Sequence, residues 1–301
     1  MKWKKEGQVF KVNASNPDII SHASNPLAIH LKEDIFRIFF SARNKDNKSS
    51  ISFIDLDIIK KHILHVSEKT LIKFGGDNSF YSHGISIGNI YRGKENQDFI
   101  LFMGWQIRGN NHWRGDIGRL ELINKDNMKM SPESAFLVCD EEDTVSLSYP
   151  FVIFHNGIYK MWYGSTVDWS SENGEMIHVI KYATSKDGNK WEKHGIAIPY
   201  EIGVAQAFSK PSVIINEEGY HMWYSYRSGN GEKYRIGYSF SKDGIKWGRK
   251  HHLTGIDISA SGWDSEMICY PFVFNHKEET YMLYNGNSHG KDGFGLAILQ
   301  K

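Results

Sequence analysis

The chain repeats itself, and a fixed period constrains a fold more tightly than any local preference. YPFVIFHNGIYKMWYGS (149–165) recurs as KPSVIINEEGYHMWYSY (210–226) and as YPFVFNHKEETYMLYNG (270–286). In each copy a proline precedes a tyrosine by 13 positions: Pro150 and Tyr163, Pro211 and Tyr224, Pro271 and Tyr284. Successive prolines lie 61 and 60 residues apart, and a weaker copy, NPLAIHLKEDIFRIFFSAR, places Pro26 124 residues before Pro150. That interval is two periods. A further unit is expected midway, where GISIGNIYRGKENQDFILFMGW (84–105) carries the pattern without the proline.

Within a unit, a run such as FVIF meets a polar turn at His155, Asn156 and Gly157 and then alternating YKMWY, which reads as a hairpin. VIKYATSKDGNKWEKHG (179–195) and RIGYSFSKDGIKWGRKH (235–251) each set Asp-Gly between two β-rich runs, predicting a second hairpin, with Trp191 and Trp247 at the same offset. Four antiparallel strands per unit, five times over, predict an all-β fold: a five-bladed β-propeller of four-stranded antiparallel blades, one domain over 1–301. The blades are expected near 13–75, 76–140, 141–200, 201–258 and 259–301, the last completed by 1–12. FGLAILQK stops before an outer strand could form, while KWKKEG (2–7) imitates KWEKHG (190–195). The N-terminal strand should therefore join the last blade and close the ring, with Trp3 in the place of Trp191 and Trp247. A linear array of small β-sandwiches is the competing architecture, but units of this size with interlocked ends bury too little surface to stand alone.

Composition fits this reading and removes several functions. Seventeen Phe, 15 Tyr, 9 Trp and 28 Gly against 7 Pro favour strands joined by glycine turns. Lys+Arg 36 against Asp+Glu 35 leaves no basic field for nucleic acid or an anionic membrane. Cys139 and Cys269 could form at most one disulfide, which suits a reducing compartment. The start MKWKKEGQVF has no apolar stretch of signal-peptide length, and no run is long enough to span a bilayer. A cytoplasmic protein without membrane insertion is expected.

The tandem P-x-V-I-x-x-x-G-x-Y-x-M-W-Y followed by I-G-Y-x-x-S-x-D-G-x-x-W resembles the five-bladed propellers of the furanosidase superfamily: arabinanases, invertases, levansucrases and the related mannoside phosphorylases. WDSEMICYPFVF (263–274) with YMLYNGN (281–287) is similar to glycosidase-like proteins encoded among bacterial surface-polysaccharide genes. The resemblance implies a carbohydrate-active enzyme whose substrate, a sugar or sugar derivative, sits in an axial pocket lined by residues at and just before each repeat proline. Glycosidase members carry an Asp directly before the first-blade proline and a Glu two positions before the third-blade one, because hydrolysis needs an acid and a second carboxylate. Here those slots hold Asn25 and Ser148. The remaining slots give Tyr149, Lys210 and Tyr270, with His83 in the second blade and His22 in the first as further polar candidates.

Acids for catalysis must then come from loops upstream: Glu266 first, Asp264 and Asp143 seven positions before their prolines, and Asp77 in GGDNSFYSHG, with His83 as an alternative base. Asx capping of turns is the competing explanation for Asp264 and Asp143. Arg43, Arg108, Arg227 and Asn287 occupy equivalent positions after the second strand of four blades and are expected to converge. Arginines there suit an anionic sugar, a sugar phosphate or a nucleotide sugar. Trp105 and Trp169 are the candidates for stacking on a sugar ring; the MWY clusters read as packing between blades. No required cofactor is indicated, and no zinc or EF-hand spacing occurs. By resemblance, an axial calcium or sodium ion with a nearby histidine would fall at His289. Three functions remain: cleavage or transfer of a glycosyl group, phosphorolysis or transfer from an activated sugar, and carbohydrate binding without catalysis.

Overall fold

The computed structural model describes residues 1–14, 16–107, 109 and 112–300, and helical geometry among them is confined to His251–Leu253 and the turn Asn287–Gly290. No helix of the described residues is long and apolar enough to cross a membrane. Everything else regular is strand. An N-terminal strand β1 (Trp3–Phe10) precedes β2 (Ser21–Lys32), β3 (Ile35–Arg43), β4 (Ser49–Asp57) and β5 (His62–Val66). Then come β6 (Gly84–Arg92), β7 (Asp98–Ile107), β8 (Trp113–Asn124) and β9 (Asn127–Met130). The third set is β10 (Ser146–His155), β11 (Ile158–Asp168), β12 (Ile177–Ser185) and β13 (Glu192–Ile196). The fourth is β14 (Ala207–Asn216), β15 (Gly219–Arg227), β16 (Arg235–Ser241) and β17 (Gly248–Arg249). The last is β18 (Cys269–His276), β19 (Glu279–Asn285) and β20 (Phe294–Leu299).

Neighbours within each set pair antiparallel in chain order, and β1 pairs antiparallel with β20, Trp3 opposite Leu299 and Phe10 opposite Phe294. The leading strands touch in a cycle: β2 with β6, β6 with β10, β10 with β14, β14 with β18, and β18 with β2. A sheet covered on both faces needs apolar side chains on both, which explains why Met161, Trp162 and Tyr163 of β11 are all fully buried despite pointing alternately. Trp247 meets Trp162 of the preceding set edge-on at 5.7 Å, and Trp3 meets Trp223 in the same way at 5.6 Å.

The Asp-Gly turns are longer than the two-residue hairpins the sequence suggests. β12 ends at Ser185 and β13 begins at Glu192. Across the gap the Asp187 carboxylate accepts the N–H groups of Asn189 and Lys190, both at 2.8 Å, so a side-chain-capped turn replaces the tight one.

A buried ion pair recurs in two sets. Asp143 accepts from Tyr163 Oη at 3.0 Å and Ser165 Oγ at 2.6 Å, and pairs with Lys181 and Lys193. Asp264 accepts from Tyr284 Oη at 3.0 Å and from Lys5 Nζ at 2.8 Å. Lys193 and Lys5 hold the same place in KWEKHG and KWKKEG. The same carboxylate, tyrosine and outer-strand lysine thus tie β1 to the last set as β13 is tied to the third.

Candidate functional site

The four leading strands that carry the repeat proline, β2, β10, β14 and β18, bend there. The pairing register slips between Ser148 and Phe151, between Ser209 and Ser212, and between Cys269 and Phe272. At the slip, Tyr149, Lys210 and Tyr270 take φ of 37°, 53° and 53°, and Asn25 takes 55° in β2. A left-handed backbone at a non-glycine residue is costly and persists only where its surroundings enforce it. Four equivalent bulges enforce it here, and bulges of this kind re-aim side chains beside functional sites.

Above these bulges lies a cavity of about 490 Å³. Tyr149, Tyr270 and Tyr234 furnish aromatic wall, with Trp105 and Trp113 on another side. Tyr149 Oη donates to Tyr270 Oη at 3.3 Å, joining side chains of the third and last sets. Arg43, Arg227, Lys233 and His289 bring the nitrogen groups. Glu232 is the only carboxylate among its described lining residues. A larger recess of about 800 Å³ on the outer surface is lined by Val9, Phe10, Phe40 and Ile63 and has no comparable convergence of charge.

The arginines are held from behind. Arg43 donates to Asn47 Oδ1 at 2.7 Å and its guanidinium lies 5.9 Å from the Trp105 ring centroid. Arg227 faces Glu175 at 3.4 Å, and its Nε is buried without a partner. Gln206, fully buried, ties the surrounding loops together: it accepts from Asn173 Nδ2 at 2.7 Å and donates to Ser171 Oγ at 2.8 Å. His289 belongs to the turn Asn287–Gly290, with its ring 5.7 Å from Tyr234 and 5.9 Å from Tyr270. Burial first, then the Arg43 and Arg227 cations, lower its pKa to about 4. Those cations do not favour a metal ion beside His289.

His178 also lines the cavity. Its Nε2 lies 2.7 Å from Ser148 Oγ and its Nδ1 lies 2.8 Å from Thr166 Oγ1, and burial lowers its pKa to about 3. Both hydroxyls therefore hold a neutral imidazole. A Cβ on Gly164 would stand 2.1 Å from Ser148 Oγ and 2.5 Å from His178 Nε2, so glycine is required where β11 passes this pair. Lys210 is buried below the lining; its Nζ donates to Gly88 O at 2.8 Å, and desolvation lowers its pKa to about 7. Asn25 is buried likewise, its N–H bonded to Asn285 Oδ1 and its own Oδ1 without a partner.

Of the residues singled out from sequence, Arg43, Trp105, Tyr149, Arg227, Tyr270 and His289 line one cavity. Ser148 reaches it through His178, and His22 lies beside it, its pKa lowered to about 3 by burial and by the Arg43 charge. The proposed acids do not gather there. Asp264 and Asp143 are spent in the ion pairs described above. Glu266 is exposed and paired with Lys233, Asp77 is exposed in its loop, and His83 stands against Trp105 with Nδ1 3.2 Å from Ser82 Oγ; none of the three lines the cavity. Asn287 is structural: its Oδ1 accepts the N–H groups of Glu266 and Met267. Trp169 meets Trp113 edge-on, with ring centroids 4.9 Å apart. Arg108 lies outside the described residues.

Sequence reasoning missed Trp113, Met176, His178 and Tyr234. All of them sit within two residues of the start of a third strand, in three sets, so aligning those strand starts would have found them.

Comparison with known proteins places the chain among relatives. No protein-family model matches it. It is 37% identical over 304 residues to the uncharacterized proteins MT1551 and Rv1502 from two strains of Mycobacterium tuberculosis, covering 100% of both sequences. The chain belongs to that family. In three dimensions it is similar to BT0996 in its RGII complex, at TM-score 0.75 and 13% identity over 99% of this protein and 91% of that one. It is also similar to a GH130-family structure, described with mannoside phosphorylases and glycoside hydrolases that target β-1,2 mannosidic linkages in Candida mannan, at TM-score 0.71, 13% identity, and 99% and 93% coverage. Sucrose-6-phosphate hydrolase from Lactobacillus gasseri follows at TM-score 0.62 and 11% identity, covering 95% of this protein and 61% of that one. In fold the chain is like these glycoside hydrolases.

Proposed function

We propose that the five strand sets are blades of a closed propeller, and that its axial cavity binds an anionic sugar derivative, a sugar phosphate or a nucleotide sugar, for glycosyl transfer. One observation carries this reading: Arg43, Arg227 and Lys233 line an aromatic-walled cavity whose described lining residues include a single carboxylate, Glu232. Aromatic faces suit the apolar face of a sugar ring, and arginine forks suit phosphate oxygens. Hydrolysis by the usual route needs two carboxylates flanking one glycosidic bond. Phosphate relaxes that need because it is itself the nucleophile. A phosphate oxygen bonds the anomeric carbon, the glycosidic C–O bond breaks, and the leaving oxygen takes a proton, for which Glu232 is the candidate donor. Hydrolysis remains the second reading, because Glu266 sits close enough to pair with Lys233, a lining residue.

The test is turnover against disaccharides with and without inorganic phosphate, and against hexose 1-phosphates and nucleotide sugars with sugar acceptors. Strict dependence on phosphate or on an activated donor supports transfer. Phosphate-independent release of reducing sugar that Glu266→Gln abolishes would establish hydrolysis instead. Saturable binding without any product would make the protein a carbohydrate-binding propeller. Arg227→Met should weaken binding of the charged ligand by about tenfold or more, the scale of a lost charged hydrogen bond.

A further inference from the structure

Within that cavity the nitrogen groups are not spread evenly. Arg43 on β3 and Arg227 on β15 both act on His289, which lies on the turn after β19. Tyr234 and Tyr270 flank the imidazole, and His22 is the other titratable group coupled to it. Of the nearby charges, Lys291 and Asp292 act on His22, with Asp292 paired to Lys11; Glu175 is paired with Arg227, Glu232 stands at the exposed edge beside Lys233, and the charges that act on His289 itself are those of Arg43 and Arg227. Two atoms at this corner lack what their chemistry calls for. Arg227 Nε is buried with no acceptor, and Ser209, buried and lining the cavity, has an Oγ beside the Tyr234 hydroxyl that completes no hydrogen bond. Buried donors without acceptors are rare in native proteins, and these two belong to residues that line the cavity, within reach of whatever fills it.

We infer that the corner formed by Arg43, His289, Arg227 and Ser209 is a subsite for a dianionic phosphoryl group, taken up together with one proton on His289. This rests on the anionic-sugar reading above and chooses within it. A phosphate monoester carries nearly two charges near neutral pH, whereas each phosphate of a nucleotide sugar's diphosphate bridge carries one. Two arginines suffice for two negative charges only if both guanidiniums turn fully to the ligand, yet Arg43 is partly engaged by Asn47 and Arg227 by Glu175. The His289 imidazole, which lines the same cavity, supplies the third cation on demand. Before an anion binds, the neighbouring arginines and burial keep His289 neutral; a bound dianion reverses that field.

Sulfate is the decisive probe, because it is a dianion that does not itself titrate near neutral pH. Calorimetry of sulfate binding between pH 6 and 8.5, in buffers of differing ionisation enthalpy, should show proton uptake and an affinity that falls as pH rises, by up to tenfold per pH unit. Lys210 titrates in the same range but lies below the lining, so the variant separates the two. His289→Asn should bind sulfate with no proton uptake and no pH dependence from this source; asparagine tolerates the φ of 59° at this position. Should that variant melt early, the His289 imidazole resonances of the wild-type protein, titrated with and without sulfate, must show a raised pKa in the complex. Sulfate binding with no proton uptake, or with uptake intact in His289→Asn, overturns the inference and leaves the anionic-sugar reading standing. Nucleotide sugar binding without any affinity for hexose 1-phosphate or sulfate overturns it too. If no anion binds at any pH while neutral sugars do, the anionic-sugar reading falls as well.

Discussion

Replacing Asp264 by alanine distinguishes a catalytic carboxylate from a structural one. Its side chain is 3% exposed and holds Lys5 Nζ at 2.8 Å and Tyr284 Oη at 3.0 Å. A hydrogen bond to a charged group contributes about 1.5–3 kcal/mol and a neutral one about 0.5–1.5 kcal/mol. Lys5 is 23% exposed and can return to water, so its share belongs at the low end of that range. Both bonds are made to the charged carboxylate, so the total is about 3–4 kcal/mol, with Tyr284 left buried and unpaired. At roughly 2–4 °C per kcal/mol for large domains, the melting temperature should drop by about 6–16 °C. Calorimetry and urea midpoints measure the loss, and a double-mutant cycle with Lys5→Met should return a coupling of at least about 0.5 kcal/mol. Ligand affinity at the axial cavity should be unchanged. A variant that melts within about 1 °C of the parent but loses turnover would refute the structural assignment.

Asp143 offers the pH counterpart. Burial pushes its carboxyl up, but hydrogen bonds from Lys181, Lys193 and Ser165 outweigh burial and hold it below the ordinary range. A lowered carboxyl contributes stability above its unfolded pKa and loses it as pH falls through the folded value, so wild type should weaken below about pH 4 and Asp143→Asn should show a shallower acid slope in urea titrations. Lys210 works in the opposite range: with its pKa lowered to about 7 by burial, the unfolded chain binds the extra proton above that pH. Its contribution to stability therefore rises with pH from 7 towards 10, and Lys210→Met should remove that rise when the two urea curves are subtracted. Gly164→Ala should destabilise by roughly 1–3 kcal/mol, read from thermal melts, because its methyl would collide with Ser148 and His178. Ser148→Ala in the same background should recover part of the loss.

Much of the architecture was legible in the chain. Repeat period, strand alternation and the imitation of KWEKHG by KWKKEG are local patterns, and β1 pairs with β20 where that imitation places it. Six of the residues proposed from sequence share one cavity, because the bulge before each repeat proline and the end of each second strand are repeated features. Roles were less legible than positions. Asp264 and Glu266 are two residues apart in the sequence, yet one is locked under Tyr284 and the other stands in water beside Lys233. Nothing in their spacing separates a buried ion pair from an exposed one; the difference lies in Lys5, which folding brings from the other end of the chain. Tyr149 and Tyr270 meet across 121 residues, and Lys210 reaches Gly88 across 122. Periodicity is a property of neighbours along the chain and so survives in the sequence. Partnership at the axis is a property of side chains that meet only when the leading strands close their cycle, and tertiary structure alone decided it.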